Sequence, residues 1–125
     1  MKKIPLPFEL VYATNTAAAW HVASFWMNAA DVKNVRGAFE LSLLESDVQV
    51  SLGYQTTNVE NTGDTPTSIG SYATTAGVSY PSDWADISDY THGKQLIRFG
   101  WMVKNASSST KNWVRVGGFI QTSDT

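Results

Sequence analysis

The sequence predicts an all-β fold: one small antiparallel β-sandwich, jelly-roll or immunoglobulin-like, of six to eight strands. Three observations predict it. Two stretches near the C-terminus and two in the middle alternate apolar and polar residues with period two. Residues 58–84 hold three glycines, two prolines and many Ser and Thr, which reads as loop with one short strand near Tyr72. No heptad pattern or internal repeat competes with the strand reading.

The C-terminal stretches are the clearest. In "QLIRFGWMVKN", Ile97, Phe99, Trp101 and Val103 share one face. In "KNWVRVGGFIQ", Val114, Val116, Gly118 and Ile120 share one face and oppose Trp113, Arg115, Gly117 and Phe119. The short polar "ASSST" between them predicts a hairpin, with Trp101 opposite Val114 and Phe99 opposite Val116. The adjacent glycines 117 and 118 mark a bulge or a close backbone approach.

"GAFELSLL" and "DVQVSLGYQT" read as a second hairpin closed by "LESD". Phe39, Leu41 and Leu43 form one inward face, and Val48, Val50, Leu52 and Tyr54 the other, with Leu43 opposite Val48. Residues 16–32 are ambiguous. Alanines favour helix, while Trp20, Val22 and Trp26 favour strand, and the β elements around them tip the reading to strand. Pro5 and Pro7 disfavour helix at the start, so residues 1–12 are expected as an extended N-terminal arm or edge strand. The whole of 1–125 is expected to form a single domain.

Composition narrows the function classes. There are no cysteines, which excludes a disulfide framework and thiolate chemistry. The formal charge is −2 and only 16% of residues are charged, against about 25% on average. That balance gives no pull on nucleic acid or on a membrane surface. "MKK" is followed at once by Pro5, Pro7 and Glu9, which breaks the apolar run a signal peptide needs. Synthesis in the cytoplasm without a cleaved signal peptide is the expectation.

"YPSDWADISDYTHG", residues 80–93, concentrates aromatics and acids. Ser82 or Asp83 can cap a single turn that drops Trp84 and Ile87 into the core. The three aspartates lack calcium-loop spacing, so no metal and no cofactor are expected. As a ligand site the segment offers Tyr80, Asp83, Trp84, Asp86, Asp89, Tyr90 and His92, residue types that stack on and hydrogen-bond to a sugar. His21 and His92 have no nucleophile motif around them, and no zinc pattern is present, so no catalytic residues are expected.

Arg98 and Arg115 are expected on one non-core face of the C-terminal hairpin, beside Met102, Trp113 and Phe119. A hairpin apolar on both faces needs a second cover. Ile4, Leu6 and Phe8 of the extended segment join Arg98, Met102, Trp113, Arg115 and Phe119 as candidates for an interface. The ensemble is similar in style to small structural proteins of tailed-phage particles, capsid decoration or tail components. The expected function is therefore a non-enzymatic structural or assembly protein, built into a virion and acting by self-association, as a homo-oligomer, or by docking on a larger lattice. The alternative is a carbohydrate-binding module that takes a glycan through residues 80–93.

Overall fold

The structure, a computed structural model, describes residues 1–45, 47–58, 63–106 and 111–125. Its elements in chain order are β1 (Lys2–Ala13), β2 (Ala19–Val22), β3 (Met27–Asn28), β4 (Asn34–Leu44), β5 (Val48–Thr57), β6 (Thr67–Ala73), β7 (Ser79–Pro81), β8 (Ala85–Asp86), α1 (Ser88–Thr91), β9 (Leu96–Asn105) and β10 (Asn112–Ser123). A single 3-10 turn, Ala29–Asp31, precedes β4, with the Asn28 side chain accepting from the Ala30 N–H. Three of the ten strands have only two or three residues, which leaves seven longer ones. The segment 16–32 forms β2, β3 and that turn, so its aromatics outweigh its alanines.

The strands form two antiparallel sheets. The first runs β1-β10-β4-β7, with β8 also on β4, and the second runs β2-β9-β5-β6, with β3 also on β9. That order of two facing sheets, five strands in each, makes the fold a jelly roll. β1 is the edge of the first sheet and pairs with β10, Lys2 opposite Thr122 and Ala13 opposite Asn112.

The inward faces match the sequence alternation. Ile97, Phe99, Trp101, Val103, Val114, Val116 and Ile120 are fully buried, and Val48, Val50, Leu52 and Tyr54 nearly so. Both expected hairpins, however, are corrected. β9 lies between β2 and β5, with Trp101 opposite Leu52 and Val103 opposite Val50. β10 lies between β1 and β4, with Val114 opposite Val11 and Leu44. β4 and β5 likewise belong to different sheets. Each connection crosses the sandwich, because an inward apolar face is satisfied as well by the sheet opposite as by a strand alongside. Ser46 of "LESD" and residues 107–110 of the expected polar loop lie outside the described residues.

Leu43 is a second correction. The β10·β4 register shifts between Arg115 and Val116, so Arg115 faces Leu43 and Val116 faces Leu41. One extra residue on β4 reverses the alternation there. Leu44 packs against the core while Leu43 is 51% exposed.

Candidate functional site

The outer face of the first sheet is apolar across three strands. Phe8, Leu10 and Tyr12 of β1, Trp113 of β10 and Leu43 of β4 are between 36% and 56% exposed. Register holds them together: Tyr12 lies opposite Trp113, with ring centroids 5.1 Å apart, and Arg115 lies between Leu10 and Leu43. Phe8 reaches this face through a second register shift, between Leu6 and Glu9. Its ring lies on Gly117, where an added Cβ would meet Phe8 Cγ at 2.7 Å. The glycine pair read from the sequence is thus a close approach.

Cations lie over these rings. Arg115 sits 4.9 Å from the Phe8 centroid, Lys111 4.3 Å from Tyr12 and 4.8 Å from Trp113, and Lys3 4.3 Å from Phe119. On the second sheet Arg98 stacks on Trp26 at 4.2 Å and Lys104 on Tyr72 at 4.1 Å. With Arg36 over Trp84 at 4.6 Å, six of the nine Lys and Arg side chains rest on rings. The guanidinium and ammonium groups are attracted to the negative ring faces, and their stems cover apolar surface.

The interface candidates therefore divide. Phe8, Trp113, Arg115 and Phe119 share the first sheet's outer face. Arg98 and Met102 do not join them, since β9 is in the other sheet. Arg98 donates to Gln55 Oε1 at 2.9 Å, and Met102 is half-buried beside the trough that Gly53 and Gly100 open for the Trp20 ring. Leu6 is 1% exposed in the chain's own core and does not offer its side chain to a partner, while Ile4 is partly buried against that core. Leu10, Tyr12 and Leu43 were not among the candidates. The alternation of β1 could have supplied Leu10 and Tyr12, whereas Leu43 depends on a bulge that no residue pattern announces.

The residues of 80–93 also divide. Tyr80, Asp83 and Trp84 line a groove of about 380 Å³. It runs between the β7–β8 segment, at the edge of the first sheet, and Ile69, Gly70 and Ser71 of β6, the edge of the second. The Tyr80 ring stacks on Phe39 at 5.7 Å and its hydroxyl accepts from the Thr75 N–H at 2.9 Å; hydrogen bonding to the Thr75 side chain, and less to its backbone, lowers the Tyr80 pKa. Ser82 is tied to β4 twice: its N–H donates to Gly37 O at 2.8 Å and its Oγ accepts from Gly37 N–H at 3.0 Å.

Trp84 is 37% exposed rather than in the core, while Ile87 is buried. The single turn is α1; its N-cap is Ile87, with no side-chain cap bond, and the acid that bonds to its first residue is Asp86, not Ser82 or Asp83. Asp86 Oδ1 accepts from the Ser88 N–H at 2.9 Å and from Ser88 Oγ at 2.6 Å, and these bonds lower its pKa. Asp89 is exposed on α1. Tyr90 lies elsewhere, edge-on to Tyr54 at 5.8 Å. His92 lines a separate hollow of about 260 Å³ with Lys33 and Lys94. Among the described residues no group of three His, Cys, Asp or Glu side chains is placed to hold a metal ion, and no helix is long and apolar enough to cross a membrane.

The same arrangement of strands occurs in infectious bursal disease virus. A VP2 subviral particle of that virus superposes with a TM-score of 0.64 at 10% identity, covering 98% of this chain and 32% of the viral one. Chains from its Gt and Gx strains superpose with TM-scores of 0.62 and 0.59 at 10% and 11% identity, each over 95% of this chain. This chain spans about a third of the length of those viral chains. No family model matches the sequence, and no curated protein matches it. At such identities the likeness shows a shared fold, here one with the VP2 subviral particle of that virus.

Proposed function

We propose that this chain is a non-enzymatic structural protein of a virion, specifically a phage particle component such as a capsid decoration or tail protein. It works by packing the outer face of the β1-β10-β4 sheet against a neighbouring copy or a larger lattice. The observation that carries this reading is the exposed row of Phe8, Leu10, Tyr12, Leu43 and Trp113. Contiguous apolar surface of this kind marks a contact site on a folded domain. The centres of protein interfaces are enriched in aromatics and Arg, and this face sets Arg115 among Phe8, Tyr12 and Trp113, with Glu40 and Glu45 beside them. The shared fold with a viral protein that forms a subviral particle supports the same reading.

The test is sedimentation of the parent and a Leu10→Lys/Leu43→Lys variant over a wide concentration range. Both side chains point to solvent, so the variant keeps its melting temperature. The parent is expected to form oligomers, or to bind purified particles, and the variant to do neither. A parent that stays monomeric at millimolar concentration and binds no particle removes the proposal.

A further inference from the structure

The groove between β6 and the β7–β8 segment has no part in the packing just described, and it stands or falls independently of that reading. We propose that it is a binding site for a neutral pyranose at a glycan end. Its volume, about 380 Å³, lies within the roughly 300–1,000 Å³ of small-ligand sites.

Its walls are fixed before any ligand arrives. Tyr80 is held by Phe39 and by the Thr75 N–H, Ser82 by both polar groups of Gly37, and Trp84 by the Arg36 guanidinium. Side chains already ordered lose little freedom on binding. The guanidinium occupies one face of the Trp84 ring, which leaves the other to a ligand. The flat C–H face of a pyranose is apolar with slightly positive hydrogens, and it suits the negative face of an indole. Asp83 is exposed at the rim, and its carboxylate can accept from two adjacent sugar hydroxyls. The Ser71 hydroxyl on the opposite wall can donate or accept.

Gly70 keeps that wall back. Its φ of +77° strains any residue with a side chain, and a Cβ there would point at Ser82 Cβ from 3.9 Å, across the groove. The charge of the site selects neutral sugars. No Lys or Arg is among the lining side chains, the Arg36 guanidinium being engaged on the Trp84 ring, and the one carboxylate of the lining, Asp83, repels carboxylated or sulfated ones.

The parent is screened on an array of neutral hexose and N-acetylhexosamine oligosaccharides beside sialylated and sulfated ones, and the best neutral hit is titrated by tryptophan fluorescence. Neutral glycans are expected to bind. Asp83→Asn, an exposed change that leaves the fold intact, is expected to weaken the hit at least tenfold. Trp84→Ala is expected to abolish binding, with circular dichroism checking that it is folded. Tyr90→Ala, outside the groove, leaves binding unchanged. An array with no neutral hit, hits confined to anionic sugars, or a neutral hit that Asp83→Asn leaves intact overturns the site. The oligomeric state of the parent bears on none of these outcomes.

Discussion

Phe39 of the first sheet and Trp101 of the second meet ring to ring at the centre of the sandwich, with centroids 5.5 Å apart and planes tilted by 57°. Phe39 also supports Tyr80 at the groove wall. The same ring thus joins the two sheets and backs a candidate site. Trp101 is fully buried, and removing such an aromatic costs about 3–5 kcal/mol. Against a total stability of roughly 5–15 kcal/mol, Trp101→Ala should leave little folded protein. Urea unfolding checks it; a variant that melts within a few degrees of the parent contradicts the packing described.

Gly117 and Phe8 should show energetic coupling. Gly117→Ala places a methyl group against Phe8 Cγ at 2.7 Å and Phe8 Cα at 2.9 Å, an overpacking that costs about 1–3 kcal/mol. In a Phe8→Ala background the ring is gone but the backbone remains, so the cost should fall without vanishing. A double-mutant cycle reads this directly. Strictly additive effects would show that the ring does not lie on the glycine.

Much of the core was legible in the sequence. Period two placed Ile97, Phe99, Trp101 and Val103 inward because a strand pleat admits only two faces. It could not name their partners, since alternation is the same whether a strand turns back beside its neighbour or crosses to the facing sheet. Leu43 was misread because a bulge has no compositional signature. In the groove, the sequence showed Tyr80, Asp83 and Trp84 as near neighbours. Gly70 and Ser71 come from another sheet, and only the isolated glycine in "SIGSY" hinted at a special position.

Glu9 should make stability depend on pH. Its Oε1 is buried. Burial raises its pKa, against the opposing effects of the nearby His21 charge and the Trp101 indole N–H. The folded state then binds the Glu9 proton more readily than the unfolded chain does. This contribution favours folding increasingly as pH falls from neutral through the ordinary carboxylate range, and it is a cost above that range. Glu9→Gln should melt a few degrees higher than the parent at neutral pH, with the difference shrinking in acid. Parallel melting curves across pH would refute this account.

Asp86 braces the turn that leads into α1 through its bonds to Ser88, and should matter without calcium. Asp86→Ala removes both bonds to Ser88 and should lower the melting temperature by a few degrees, as loss of a side-chain-to-backbone turn bond does. A chelator should leave the parent's melting temperature where it was. A drop restored by added calcium would mean the aspartates of this segment bind metal.

The first strand of the chain pairs with the last, Lys2 against Thr122. On a ribosome β1 emerges with β10, its strand partner among the described residues, still untranslated, and at roughly 5–20 residues per second that partner follows on the order of ten seconds later. Until then Leu6, Val11 and the unpaired β1 backbone have no native surface to meet. Pro5 and Pro7, which sit in this strand and cannot donate to a pairing partner, lessen its tendency to zip onto a neighbouring nascent chain during that wait. Completion of the sheet is therefore tied to the synthesis of β10, and a chain lacking β10 loses the strand that joins β1 to β4.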